Sequence, residues 1–391
     1  MKFAFVLDGL SCGGVERVAV TYCNALVERG HSVTVINLLP AETEFKCELL
    51  PEVKYEEVLY SKKMAPERYC SLISRCAWGR FIYPVVYSIL MIALLLRRPF
   101  LRRRFGDFDV AISFSGHYND LTLVAFDCIS AKKKVAWLHG SVNSYALISD
   151  GFVNLYRRFN KLICLSREGE QEFRSAKHWI DLPIVQLYNP IDLAIEDVGL
   201  DVSRGLEEKY GDYILTVARL AYPKDIRTLI KALEILKNKY EIEKQLVVVG
   251  DGPDSGQLVD FAKKSTVSDQ VHFVGYTNDP SPYYESCNVF VLSSLSEGLP
   301  TVLLEAMSRG KPVVSTDTIG ANEILQAGKY GILCGIGDAF SMARGIARIY
   351  GDAHLSNQYV DAARTRVKDF EKNRIISGFL EIVTGDGSGE S

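Results

Sequence analysis

Short apolar runs alternate with amphipathic stretches along almost the whole chain. In the first half the runs fall at residues 3–7, 31–38, 109–114, 134–138 and 161–166. In the second half they fall at 213–217, 245–249, 271–274, 289–292 and 312–315. Runs this short, bounded by Gly, Pro and polar residues, read as buried strands. Helices are expected after the first run up to Arg29-Gly30, from about Arg167, over 226–239, over 301–308, from Gly331 to about 369, and over 370–383; residues 279–284 lead into a short one. Strands alternating with helices predict an α/β class. Residues 41–70 read as irregular and charged, and no short-period repeat runs through the chain.

One stretch breaks the pattern. Residues 81–96, FIYPVVYSILMIALLL, carry no charge; Arg75 and Arg80 precede them, and Arg97, Arg98, Arg102, Arg103 and Arg104 follow. As a helix the stretch is roughly 24 Å long, short of a hydrocarbon core of about 30 Å, and Pro84 is expected to break its first turn. It reads either as a helix buried in a domain or as one lying in the membrane interface, with basic residues on anionic lipid. The basic cluster favours membrane contact.

The 391 residues suit two domains of ordinary size, and 48% hydrophobic with 24% charged residues is a globular composition. A net charge of −3 argues against strong nucleic-acid binding. The halves differ, however: residues 1–190 hold 24 Lys and Arg against 19 Asp and Glu, and the remainder 21 against 29. Such asymmetry can mark a membrane-facing or anion-facing half. The nine Cys are scattered, with no C-x-x-C pair, so a reducing cytoplasm is expected rather than a disulfide framework or zinc site. Met1-Lys2 leads straight into a strand pattern, and no secretory leader is expected.

Candidate chemistry gathers at residues 293–325, SSLSEGLPTVLLEAMSRGKPVVSTDTIGANEIL. Here a strand is followed by a loop, a helix with Pro300 at its start, and another strand. Backbone N–H groups near Thr301 and Val302 carry the positive helix end, where a diphosphate fits. Gly298 lets backbone approach a ligand closely. Glu297 and Glu305 would repel a diphosphate, so they read as acceptors for sugar hydroxyls or, more plainly, as a capping and a solvated Glu. Arg219 and Lys224 straddle another strand-to-helix loop, as a phosphate clamp or as surface charge. The Gly13-Gly14 loop after the first strand is a phosphate-cradling arrangement or a plain turn. His139, at a strand's carboxyl end, is placed for a cleft or is a hydrogen-bonded structural residue.

The SEGLP turn, the LLEAM helix start, the GKPVVSTD strand and the following GANEIL together resemble the signature of family-4 retaining glycosyltransferases of the GT-B fold. The resemblance extends over nearly the whole chain and is strongest over residues 213–325. It implies two Rossmann-like domains facing across a cleft. Residues 1–192 would be an acceptor-binding N-terminal domain, 193–209 a linker, and 210–369 a nucleotide-sugar-binding domain. A helix over 370–383 would cross back to the first domain, and 384–391 would form a disordered tail.

The resemblance also distributes roles. Glu297 would lie by the donor sugar and Glu305 would hold the nucleotide ribose, with Gly298, Leu299, Thr301 and Val302 in the same donor loop. Arg219 and Lys224 would clamp the diphosphate, and His139 would touch the donor sugar. Gly13 and Gly14 would sit near donor phosphate and acceptor, and Gly250, Gly275 and Tyr276 at the base. Glu297, His139, Arg219 and Lys224 form the implied catalytic set. The reaction would move a sugar from a nucleotide sugar, expected to be UDP-linked, to a glycan hydroxyl with retention, without metal or cofactor. Asp107-Phe108-Asp109 has the D-x-D form that binds metal in a different glycosyltransferase fold, but it directly precedes a strand here and reads as accidental.

The expected acceptor is a polyprenyl-diphosphate-linked glycan of surface-polysaccharide assembly, reached from the cytoplasmic face of the membrane. The alternatives are a GT-B nucleotide-sugar epimerase, a transferase with a soluble acceptor, and a non-catalytic sugar-nucleotide-binding subunit. Glu297, Glu305, Arg219, Lys224 and His139 together argue against the last.

Overall fold

The computed structural model describes residues 1–11, 13–139, 151–175, 182–192 and 200–385, the side chains of Ser74, Arg75, Glu172, Leu200 and Asp201 excepted. Gly140 beside His139, the expected linker residues 193–199 and the tail residues 386–391 lie outside these. The chain divides into two compact units, Met1–Pro190 with Asn373–Ser391, and Ile191–Lys372.

Unit 1 is built on strands β1 (Lys2–Leu7), β2 (Ser32–Asn37), β3 (Lys54–Glu57), β4 (Asp107–Ser113), β5 (Ser130–Leu138), β6 (Lys161–Cys164) and β7 (Ile184–Gln186). They form one parallel sheet in the order β3-β2-β1-β4-β5-β6-β7. A parallel sheet covered on both faces buries nearly every residue, and β1 is buried at every position after Lys2. The C-terminal helix Lys372–Thr384 completes this unit's aromatic centre. The Phe379 ring lies 5.4 Å from Tyr22, 5.8 Å from Trp137 and 6.0 Å from Phe3, centroid to centroid. Lys133 Nζ donates to the Val383 carbonyl at 3.0 Å, near the negative end of that helix.

Three features of unit 1 differ from the sequence reading. The supposedly irregular residues 41–70 contain β3, a four-residue edge strand, KYEE, with no apolar run to mark it. β4 begins at Asp107, so the D-x-D triplet lies inside the strand; Asp109 is engaged by the Lys2 N–H and by Lys132 Nζ, each at 2.8 Å. The apolar stretch belongs to a longer helix, Gly79–Phe105, of 27 residues, which runs through both Pro84 and Pro99. At ~1.5 Å per residue it is about 40 Å long. Pro84 does not break it, because near an N-terminus proline removes only a hydrogen bond close to the unpaired first turn.

Unit 2 carries β8 (Tyr213–Val217), β9 (Gln245–Val249), β10 (Val271–Gly275), β11 (Val289–Leu292), β12 (Val313–Thr316) and β13 (Ile332–Cys334). These strands form a parallel sheet in the order β10-β9-β8-β11-β12-β13. The Ile226–Tyr240 helix buries Ile226, Leu229, Ile230, Leu233 and Leu236 at three- and four-residue spacing, as a helix covering a sheet face must. Two corrections arise here. Residues 200–209, read as linker, belong to the helix Leu200–Tyr210. The stretch after Gly331, read as helical throughout, opens with β13, too short to show a period.

In each parallel sheet the order of adding strands reverses once, between β1 and β4 in unit 1 and between β8 and β11 in unit 2. Loops leaving the carboxyl ends of strands at such a switch point diverge and leave room for a ligand.

Candidate functional site

At the unit 2 switch point Leu215 is in register with Phe290, so the loops after β8 and β11 lie side by side. Leu295 N–H donates to the Pro223 carbonyl at 2.8 Å, and Ser293 Oγ to the Lys224 carbonyl at 2.9 Å. This stitching brings together two residues 73 positions apart: Lys224 Nζ lies 2.6 Å from Glu297 Oε1. Ser294 Oγ donates to the same oxygen at 2.6 Å. The Glu297 side chain is 11% exposed, so the ion pair is sheltered and strong for its kind. Arg219, in the same β8 loop, is exposed, and its guanidinium has no partner among the described residues. The cluster therefore presents one paired cation, one uncommitted cation and one carboxylate.

The helix Thr301–Ser308 starts directly behind this cluster, with Pro300 extended at its N-cap and no side chain capping its first N–H groups. Thr301 and Val302 are half-buried there and Leu299 is buried. Gly298 is fixed by a residue the sequence reading did not single out. A Cβ on Gly320 would come within 2.3 Å of the Gly298 carbonyl, and Gly320 N–H donates to the Glu297 carbonyl at 3.2 Å. Glu305 lies on this helix beside Tyr284, another residue missed in the sequence. Burial, and then the Glu305 carboxylate, hold the Tyr284 phenol well above its ordinary pKa.

The loops after β9 and β10 close the other side of the β8 loop. Gly250 N–H donates to the Gly275 carbonyl at 2.8 Å, and Ala218 and Leu220 N–H groups donate to Val249 and Asp251 carbonyls. Gly250 has φ +130°, and a Cβ there would lie 2.0 Å from the Ala218 carbonyl oxygen. Only glycine passes at that point. Tyr276, the next residue after β10, is half-exposed.

In unit 1 the switch point gathers Asp8 after β1 and residues 114–117 after β4. Asp8 accepts from Lys62 Nζ at 2.7 Å, from His117 Nδ1 at 2.8 Å and from the Asn119 amide. Burial alone would raise its carboxyl; the bonds from His117, Lys62 and Asn119 overcome that and hold it at about 2. Sequence reasoning passed over this network, since Lys62 and His117 lie 54 and 109 residues from Asp8.

His139 follows β5. Its Nε2 lies 2.7 Å from the Phe114 carbonyl, which can only accept, so Nε2 carries the proton. Burial drives its pKa down to about 3, so the ring stays neutral. Nδ1 keeps a lone pair that is buried and has no partner among the described residues. Of the two readings the sequence left open, the described contacts show the anchored one: His139 is hydrogen-bonded through Nε2 to the Phe114 carbonyl.

The Gly13-Gly14 loop fits the phosphate reading poorly. The Glu16 side chain folds over Gly13, with Oε2 2.2 Å from where a Cβ would stand. A carboxylate in that place repels a phosphate and suits a hydroxyl.

The Gly79–Phe105 helix turns Tyr83, Tyr87, Leu94 and Leu101 inward and leaves Phe81, Val85, Ile89, Ile92, Leu96 and Phe100 exposed. It is long and apolar enough to cross a membrane by length and composition. Of the five arginines read as membrane-facing, three have internal partners. Arg98 reaches the Asp127 carboxylate at 3.4 Å, Arg102 the Asp127 carbonyl at 2.8 Å and Arg104 the Glu56 carboxylate at 2.8 Å. Arg97 rests on the Met64 sulfur at 3.6 Å, and Arg103 is exposed. Among the described residues no group of three or more His, Cys, Asp or Glu side chains could hold a metal ion.

Two Rossmann-like halves with their loops gathered at switch points are the architecture of the GT-B fold, and the family profiles make the chain a glycosyltransferase. A family profile described as "Glycosyl transferases group 1" matches residues 203–366, and one described as "Glycosyltransferase Family 4" matches residues 12–195. The chain belongs to the family-4 glycosyltransferases. It is 26% identical over 391 residues to a Campylobacter jejuni "GalNAc-alpha-(1->4)-GalNAc-alpha-(1->3)-diNAcBac-PP-undecaprenol alpha-1,4-N-acetyl-D-galactosaminyltransferase", covering 98% of each chain. An uncharacterized glycosyltransferase of Haemophilus influenzae is 26% identical over 386 residues, covering 97% of this chain and 98% of its own. Among solved structures, Anabaena HepE in complex with UDP-glucose superposes with a TM-score of 0.76 at 18% identity, covering 98% of this chain and 99% of its own.

Proposed function

We propose that the protein transfers a sugar from a UDP-linked donor to a hydroxyl of a polyprenyl-diphosphate-linked glycan, with retention and without a metal, at the cytoplasmic membrane surface. The observation that carries this reading is the Lys224–Glu297 pair at the unit 2 switch point, with Arg219 beside it and a helix start behind it. Breaking the bond from the sugar to the diphosphate leaves negative charge on the leaving group. Arg219, Lys224 and the N–H groups at Thr301 and Val302 are donors aimed where that charge develops. Glu297 accepts from hydroxyls of the donor sugar, and Glu305 from those of the ribose. UDP is favoured because Anabaena HepE is solved with UDP-glucose, and the lipid-linked acceptor because the Campylobacter relative is named for one.

A thermal-shift series with UDP, GDP and ADP tests the donor site. UDP at about a hundred times its Kd adds about 2.7 kcal/mol and should raise the midpoint by roughly 5–10 °C. The shift should survive EDTA. No shift with any of the three removes the donor assignment, and loss of the shift in EDTA removes its metal independence.

The outward apolar stripe of the Gly79–Phe105 helix supports membrane docking more directly than the arginines do. Ile89→Asp with Leu96→Asp should leave the protein in the supernatant when phosphatidylglycerol vesicles are pelleted, while the parent chain pellets. Co-pelleting of the variant overturns the docking surface.

A further inference from the structure

We infer that His117, steered by Asp8, binds a hydroxyl of the acceptor glycan; this deepens the transferase reading and rests on it. Asp8 follows β1 and His117 follows β4, neighbouring strands with Val6 opposite Ser113. His117 Nδ1 lies 2.8 Å from Asp8 Oδ2. The carboxylate can only accept, so Nδ1 carries a proton, and in the neutral ring Nε2 keeps its lone pair. The Asp8 side chain is 1% exposed and the His117 side chain 39% exposed, so the anchor is sealed and the ring is accessible. Among the described residues Nε2 has no partner.

The ring is also fixed from behind. Gly116 stands at φ +66° with its Cβ position 2.7 Å from the Trp137 carbonyl, which forces a tight turn into His117. The N–H groups of Gly116 and His117 both end on the buried Asp120 carboxylate, at 2.8 and 2.7 Å. Asp8 in turn is held by Lys62, Asn119 and, through its own N–H, the Ser115 hydroxyl at 2.8 Å. A cluster whose other members are tied to one another presents one accessible lone pair in a set direction. That is how a binding group is preorganised.

The surroundings choose the ligand. Glu16 and Asp8 both bear on this corner, and Glu42 adds to the negative charge around Glu16. Lys62 offsets the Asp8 charge, and Glu16 with Glu42 leaves the corner without a surplus of positive charge to hold a phosphate. A hydroxyl, which donates its proton to Nε2, is the complementary group. The acceptor's sugar therefore meets this corner, and its diphosphate does not. The charged and titratable groups facing the ring are Asp8, Lys62, Glu16 and Asp120, with His139 on the adjoining β5 loop.

Histidine-labelled protein tests this by nitrogen NMR, since only six His need assignment. The probes are the methyl glycosides of N-acetylgalactosamine, N-acetylglucosamine, galactose and glucose, each added in the presence of UDP. The expected result is an Nδ1–H tautomer at His117 and an Nε2 resonance that moves saturably with at least one glycoside. His117→Phe should weaken that glycoside at least tenfold and leave the UDP thermal shift unchanged. Asp8→Asn should move the ring toward the Nε2–H tautomer and diminish the response. An Nε2 resonance unmoved by all four glycosides in the parent protein overturns the proposal, and so does glycoside affinity unchanged in His117→Phe. A missing UDP shift in the parent protein would instead strike the donor reading, and the glycoside response would still decide the sugar site.

Discussion

Replacing Lys224 with Ala is expected to lower turnover about 10²–10³-fold and UDP affinity at least about tenfold. In the proposed donor site the substitution removes a donor to the leaving diphosphate, and it also strands Glu297. That carboxylate is sheltered, with Lys224 Nζ and Ser294 Oγ both on Oε1. Without the lysine it faces the diphosphate as an uncompensated negative charge, so the loss should exceed that of a solvated lysine. Adding Glu297→Gln to Lys224→Ala should restore part of the UDP affinity, because the two residues act as a pair. Calorimetric titration with UDP and initial rates on the same preparations decide the point. UDP affinity equal to the parent's in Lys224→Ala removes the residue from the donor site.

Gly250→Ala should destabilise unit 2 by about 3–5 kcal/mol. Its Cβ would lie 2.0 Å from a backbone oxygen, that of Ala218, and a backbone atom cannot swing aside as a side-chain tip can. The alanine would also carry φ +130°, outside the comfortable range of an L side chain. Relief requires the β8 loop to move, which would carry Arg219 with it, so UDP binding should fall together with stability. Gly14→Ala is the contrast: its Cβ meets nothing within 4 Å, and the helix should tolerate it within about 0.5 kcal/mol. Denaturant midpoints for the two variants give the comparison. A Gly250→Ala midpoint equal to that of Gly14→Ala would mean that the β8 and β9 loops are not locked together.

Most of the fold is legible in the chain because parallel strands buried on both faces leave unmistakable apolar runs, as at β1, β9 and β11. What escapes notice is short or half-solvated: β3 with its KYEE edge, the three residues of β13, and the polar start of β5. The residues of the proposed donor site stand out as loop chemistry next to strand ends, but the direct bond between Lys224 and Glu297 does not. It depends on β8 and β11 being neighbours, which local pattern does not encode. The same holds for Asp8 and His117, joined through β1 and β4. Tyr284 passes for ordinary core until the helix carrying Glu305 is set against it. The arginines after the apolar helix are visible as charge, while the side chains each of them reaches are not; Asp127 and Glu56 claim three of the five.

The aromatic centre of unit 1 has an implication for synthesis on the ribosome. Phe3, Tyr22 and Trp137 emerge early, but Phe379, which they surround, is translated only after all of unit 2. At about 5–20 residues per second that interval is roughly 10–40 s. During it the first sheet waits with an open apolar face, while unit 2 can fold as a continuous segment. The later-made unit is therefore the first to finish. A nascent chain halted short of Phe379 carries an unsealed aromatic surface, so the choice between chaperone capture and a native end waits on that residue.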